Sequence, residues 1–150
     1  MEKSPVENRP AVLLVDDDQS YWLMYEMMLR KHIPQAQLYS AKDGIPALAQ
    51  LPEIVLQHPK VVVLTDLNMP GMNGDELVRK IRNSSDPHIN TLSIIMHTAN
   101  SSPQTKAEFA KLKKDTGPLS HLELMFKPIP ISALLAAMSR MLALNDPPQQ

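Results

Sequence analysis

Four short apolar runs in this chain end in polar residues that could act together. AVLLV ends at Asp16 and Asp17, VVVL runs into Thr65 and Asp66, LSIIM ends at His97 and Thr98, and ELMF ends at Lys127. A short apolar run without alternation reads as a strand buried on both faces, the pattern of a parallel sheet. Ligands of an open parallel sheet bind at the carboxyl ends of its strands, near the point where strand order reverses. Asp16, Asp17, Asp66, Thr98 and Lys127 are therefore expected on one edge. Carboxylates crowded together in partial burial need a compensating cation. Hard oxygen donors in a small cluster suit Mg²⁺, which keeps several waters and accepts a phosphate oxygen as a further ligand. A lysine can neutralise phosphoryl oxygens, and a threonine hydroxyl can donate to another. The chemistry suggested is Mg²⁺-dependent phosphoryl transfer at a carboxylate.

The elements that must position these groups alternate strand and helix five times. Strands are expected over Ala11–Val15, Gln37–Ala41, Val61–Leu64, Leu92–Met96 and Glu123–Phe126. A first helix is expected over Ser20–Lys31, stopped by Pro34. A second begins at Asp43–Gly44 with Ile45, Leu48 and Leu51 on one face, and Pro52 interrupts or ends it. A third spans Asp75–Arg82, and Asn83 to Asn90 reads as a polar loop. Ser102 and Pro103 open a charged helix through Lys114, because Pro suits a first turn; Thr116 to Ser120 breaks it. The last helix spans Ile131–Leu144. Apolar strands joined by crossover helices imply an α/β fold, a doubly wound five-stranded parallel sheet with helices on both faces.

Composition narrows the function. The chain has 150 residues, 43% hydrophobic and 21% charged, a size and make-up suited to one domain with one core. Fifteen Lys and Arg against 16 Asp and Glu give a net charge of -1, so no global basic field exists for nucleic acid. The absence of Cys excludes disulfides, thiolate nucleophiles and Cys-based metal sites. The polar start MEKSPVENRP has no signal-peptide core, and no apolar run approaches the roughly 18 residues of a membrane helix. A soluble, cytoplasmic protein is expected.

VLLVDDD, VVVLTDLNMPGMNG, IIMHTAN and MFKPIP resemble, in order, the four signatures of the receiver domain of two-component response regulators. The resemblance covers about residues 9–144 and implies a flavodoxin-like (βα)5 sandwich. By resemblance Asp66 is the phosphoacceptor. Asp16 and Asp17 form the acidic pair, with Asp17 the more direct Mg²⁺ ligand and Asp16 acting largely through water. Asn68 gives its backbone carbonyl to the metal, Thr98 and Lys127 hold phosphoryl oxygens, and Lys127–Pro128 is a cis peptide. Asp18 lies outside the pair and reads as the cap of the first helix.

Other residues carry blander readings. Pro70, Gly71 and Gly74 shape the loop after Asp66. The five histidines (32, 58, 88, 97, 121) lack a convergent metal spacing, and His97 should face away from Thr98 on its strand. Lys106, Lys111, Lys113 and Lys114 read as a solvated face, and Met24, Met27 and Met28 as core or partner-facing packing. Two departures from the family stand out. Thr98 and Lys127 are 29 positions apart, several more than usual, which enlarges the segment between them. The aromatic switch position, three before the lysine, holds Leu124, and the aromatic is Phe126.

The expected organisation is a disordered lead over 1–9, a receiver domain over 10–144 and a disordered tail over 145–150. Only 23 residues follow Lys127, so the expectation is a stand-alone receiver, or an excised one. It takes phosphate from a histidine kinase or histidine phosphotransfer protein and signals through a downstream protein partner, without being an enzyme in its own right. Two rivals are a phosphorylation-independent adaptor of the same fold and a Mg²⁺-dependent phosphohydrolase with an aspartyl-phosphate intermediate. The hydrolase usually carries a second acid two residues after its nucleophile, where this chain has Asn68.

Overall fold

The computed structural model describes residues 9–116 and 121–142. Five strands are hydrogen-bonded in the order β2-β1-β3-β4-β5, all parallel. They are β1 (Ala11–Val15), β2 (Gln37–Ala41), β3 (Val61–Asp66), β4 (Ser93–Thr98) and β5 (Leu122–Phe126). The helices are α1 (Gln19–His32), α2 (Gly44–Gln57), α3 (Gly74–Arg82), α4 (Pro87–Asn90), α5 (Pro103–Thr116) and α6 (Ile131–Leu142). The doubly wound α/β reading stands.

Both faces of the central strands are covered, which is why their sequences carry no alternation. Leu13, Val15, Val63, Ile94 and Met96 pack on one side with α2, α3 and α5 residues such as Leu51, Leu77 and Leu112. Val12, Leu14, Leu64 and Ile95 pack on the other with Leu29, Leu134 and Met138 of α1 and α6. Each such side chain contributes roughly 1.5–3 kcal/mol by leaving water. Strand order reverses at β1, so the chain leaves β1 and β3 in opposite directions and opens a crevice at their carboxyl ends.

Local chemistry sets the helix starts. Asp18, Asp43, Asn73 and Asp86 cap α1, α2, α3 and α4, each side chain accepting from a backbone N–H of the first turn. Asp18 is thus a cap, as its sequence context suggests.

Several expectations are corrected. Residues 83–90 are not wholly loop: Asp86 caps and Pro87 opens the one-turn α4. Pro52 neither ends nor splits α2, which runs through it to Gln57. A mid-helix proline costs about 3 kcal/mol, which the burial of Leu51 and Ile54 on either side offsets. Ile45 is 59% exposed, and the inward face of α2 is Gly44, Ala47, Leu51 and Ile54. On α1, Tyr25 and Leu29 face the core, while Leu23, Met24 and Met27 are exposed. The expectations for the lead over 1–8, the break at 117–120, the end of the last helix and the tail over 145–150 lie outside the described residues.

At the opposite end of the sheet from the crevice, Arg82 gathers three carbonyls. Its guanidinium donates to Leu92 O at 2.7 Å, Asn90 O at 3.3 Å and His121 O at 3.3 Å. Leu92 and His121 stand just before β4 and β5, and Asn90 closes α4.

Candidate functional site

Register brings the acidic groups together. Val15 pairs with Thr65, so Asp16 and Asp66 follow side by side. Thr98 pairs with Phe126, which delivers Lys127 one residue beyond. One carboxylate oxygen each from Asp16, Asp17 and Asp66 lie within 4.8 Å of one another. Asp16 and Asp66 are buried, while Asp17 is exposed on the open side.

Lys127 closes the cluster. Its Nζ lies 3.2 Å from Asp16 Oδ2 and 3.5 Å from Asp66 Oδ2, and 3.9 Å from the centre of the Tyr21 ring on α1. Asp16 Oδ1 accepts from the Asp18 N–H at 2.8 Å. Asp66 Oδ1 accepts from the Asn68 N–H at 3.4 Å. The Thr98 hydroxyl oxygen accepts from the Asn100 N–H at 3.1 Å and from Asn68 Nδ2 at 3.4 Å. The Lys127–Pro128 peptide is cis.

The loop after Asp66 is fixed by a close approach. The Gly74 N–H donates to Leu67 O at 2.9 Å. A Cβ on Gly74 would stand 2.3 Å from the Asp66 carbonyl oxygen. Gly71, at φ 73°, supplies the left-handed turn before it.

Electrostatics match the crowding. Burial pushes the Asp66 carboxyl up to about 6, opposed by the Lys127 ammonium and reinforced by the Asp16 charge. Burial also holds Asp16 above the ordinary carboxylate range, against the Asp18 N–H and Lys127. Two buried carboxylates sharing one ammonium remain short of positive charge. The donor set is all oxygen, so a hard divalent cation fits.

All six residues singled out in the sequence meet here, including Asn68, whose backbone and amide both face the cluster. Sequence reasoning missed three others. His97 does face away from Thr98, yet its Nε2 ends 3.8 Å from Asp16 Oδ2. The Tyr25 hydroxyl lies 3.4 Å from His97 Nδ1. Burial, with Lys127 adding, lowers the His97 pKa to about 3, so the ring is neutral. Tyr21 and Tyr25, four apart on the helix that starts beside Asp17, were the available signal for this aromatic wall.

Beyond the cluster, Leu124 is half-buried against the α5 side of the sheet. With Met96, Phe109 and Leu112 it lines a cavity of about 350 Å³ that reaches Asn68 and Asn100. Lys106 stands over the Phe126 ring and Lys111 pairs with Asp115. Asp115 also meets Arg79 of α3.

A doubly wound five-stranded sheet with an acidic, lysine-closed crevice defines a phosphoacceptor-type domain. Residues 12–138 match the response regulator receiver domain, and the chain belongs to that family. The acidic pocket of Asp16, Asp17 and Asp66 fits the phosphoacceptor site of such receivers. Among solved structures, the chemotaxis response regulator CheY4 of Vibrio cholerae is 30% identical, with a TM-score of 0.69 over 89% of this chain and 99% of that one. The receiver domain of a signal transduction histidine kinase from Syntrophus aciditrophicus shares the fold, with 21% identity, a TM-score of 0.71 and coverage of 93% and 95%. Among curated relatives, the CAI-1 autoinducer sensor kinase/phosphatase CqsS of Vibrio cholerae is 33% identical over 107 residues, 71% of this chain. The sensor histidine kinase TmoS of Ectopseudomonas mendocina is 34% identical over 79 residues, 53% of this chain. The chain spans 14% and 7% of those two relatives' lengths. Among the described residues, no helix is long and apolar enough to cross a membrane.

Proposed function

We propose that Asp66 accepts a phosphoryl group from a phosphohistidine of a histidine kinase or histidine phosphotransfer protein, in the cytoplasm. An Asp66 carboxylate oxygen bonds to phosphorus as the P–N bond breaks, giving an aspartyl phosphate and returning the imidazole to the donor. Asp17, Asp66 and the Asn68 carbonyl would hold Mg²⁺ directly and Asp16 largely through water. When bound, the cation neutralises charge on the phosphoryl oxygens. The Lys127 ammonium pairs with one phosphoryl oxygen and the Thr98 hydroxyl donates to another. Output passes to a protein partner that reads the changed surface, and no turnover of a separate substrate is part of the cycle.

The observation carrying this reading is the Lys127 ammonium within 3.5 Å of both Asp16 and Asp66. That is the place of a counter-charge for a group added to Asp66. By the family resemblance Asn68 and Asn100 flank the path of an attacking water, and neither amide is a general base at neutral pH. The phosphorylated state should therefore last minutes or longer, and the same fact weighs against a phosphohydrolase.

Incubation with acetyl phosphate and Mg²⁺, followed by intact mass, tests the proposal. One added phosphate, absent from Asp66→Asn, is expected. Uptake by Asp66→Asn at the wild-type rate overturns the acceptor, and decay within seconds overturns the lifetime.

A further inference from the structure

His97 Nε2 is a buried side-chain nitrogen without a hydrogen-bond partner among the described residues. Such atoms are rare in folded proteins and ask for an explanation. This one faces Asp16 Oδ2 at 3.8 Å, with His97 only 1% exposed. Tyr25 packs edge-on against the imidazole, ring centres 5.2 Å apart, with its hydroxyl toward Nδ1. If Nδ1 accepts from that hydroxyl, the proton of the neutral ring sits on Nε2, directed at the carboxylate.

Asp16 Oδ2 has Lys127 as its present hydrogen-bond donor. On the reading of Asp66 given above, a phosphoryl group draws the Lys127 ammonium toward its own oxygens. Asp16 Oδ2 then loses its protein donor, and the imidazole Nε2 at 3.8 Å stands less than about 1 Å beyond hydrogen-bond distance.

We infer that His97, oriented by Tyr25, is a positioning residue for Asp16: its Nε2–H takes the carboxylate oxygen that Lys127 releases when Asp66 is phosphorylated. This keeps Asp16 fixed while the lysine changes partner. A merely space-filling histidine has no reason to leave a buried nitrogen aimed at a carboxylate, since an aliphatic side chain would fill the same volume.

The test uses beryllofluoride with Mg²⁺ as the phosphoryl mimic, and the fluorescence of Trp22 as reporter. Trp22, the single tryptophan, lines the cleft beside Asp16 and Asp17. His97→Leu is expected to keep or raise Tm while weakening beryllofluoride binding about tenfold. His97→Gln, which retains an N–H donor, should recover most of the affinity. In wild-type protein, imidazole nitrogen resonances should report the Nε2-protonated tautomer, with that proton shifting as beryllofluoride binds. Unchanged affinity in His97→Leu, a parallel loss of Tm and affinity, or a proton on Nδ1 in the bound state each overturns the inference. Wild-type protein that fails to bind beryllofluoride, or Asp66→Asn that binds it equally well, overturns the acceptor reading as well, so the two failures are distinguishable.

Discussion

The ammonium of Lys127 rests 3.9 Å from the centre of the Tyr21 ring, a contact made while it reaches both buried carboxylates. The ring face supplies negative potential to the ammonium, so Tyr21 helps to hold it in place. Such a contact is worth about 0.5–2 kcal/mol. Tyr21→Leu is expected to slow phosphorylation by acetyl phosphate roughly two- to tenfold. Tyr21→Phe should leave the rate near wild type. Equal rates for both variants would show that the ring does nothing for Lys127.

Metal-free stability should depend on pH through Asp66. Its folded pKa of about 6 stands above the ordinary 3.8, so the folded protein binds this proton more tightly than the unfolded chain. The stabilisation is complete below about pH 3.8 and is lost as pH rises through about 6. It amounts to something on the order of 3 kcal/mol. The buried His97, its pKa lowered to about 3, works in the opposite sense over this range, so the Asp66 contribution is read against Asp66→Asn: from pH 7.5 to pH 5 without Mg²⁺, Tm should rise more, or fall less, in wild type than in the variant. A wild-type profile identical to the Asp66→Asn profile would remove Asp66 as its source.

Gly74→Ala is expected to damage the loop that aims Asp66. The new methyl would meet the Asp66 carbonyl oxygen and, at 2.9 Å, the Leu67 Cα. Both are backbone atoms that cannot turn aside. Overpacking of this kind costs about 1–3 kcal/mol. Tm and the phosphorylation rate should fall together, and a variant matching wild type in both would show that the loop is not pinned there.

Readout should pass through the segment around α5. Leu124 has neither ring nor hydroxyl, so its response to a shift of Thr98 is aliphatic repacking against Met96 and Phe109 along the shared cavity. Arg79 and Asp115 tie α5 to α3 at 3.2 Å, but both side chains are about one-third exposed, and such a pair restrains the helix only weakly. Hydrogen exchange with and without beryllofluoride should change across α5 and into Leu124. Changes confined to the Asp66 loop would mean that the signal leaves by another face.

The strands and their terminal residues were legible because a strand buried on both faces announces itself, and its last apolar residue marks where chemistry begins. Asp66 and Lys127 follow directly from that. His97 was assigned its correct strand face, but alternation does not say which helix residue lies across from it. The Tyr25 contact joins positions 72 apart. Pro52 misled because the local penalty is visible in the sequence, whereas the burial of Leu51 and Ile54 that offsets it is tertiary. The short α4 was hidden because one helical turn has no periodicity to detect, although Asp86–Pro87 was a legible start signal.

The three carbonyls held by Arg82 bear on how movement at the crevice must propagate. Asn90 closes α4, and Leu92 and His121 stand just before β4 and β5, whose far ends carry Thr98 and lead into Lys127. A guanidinium bound to all three anchors both strands at one end, so a pull on Thr98 is resisted as a slide along the strand axis. The motion expected to remain is a tilt, with Arg82 as its pivot. Displacement should then grow with distance from it and be largest at the rim of the crevice.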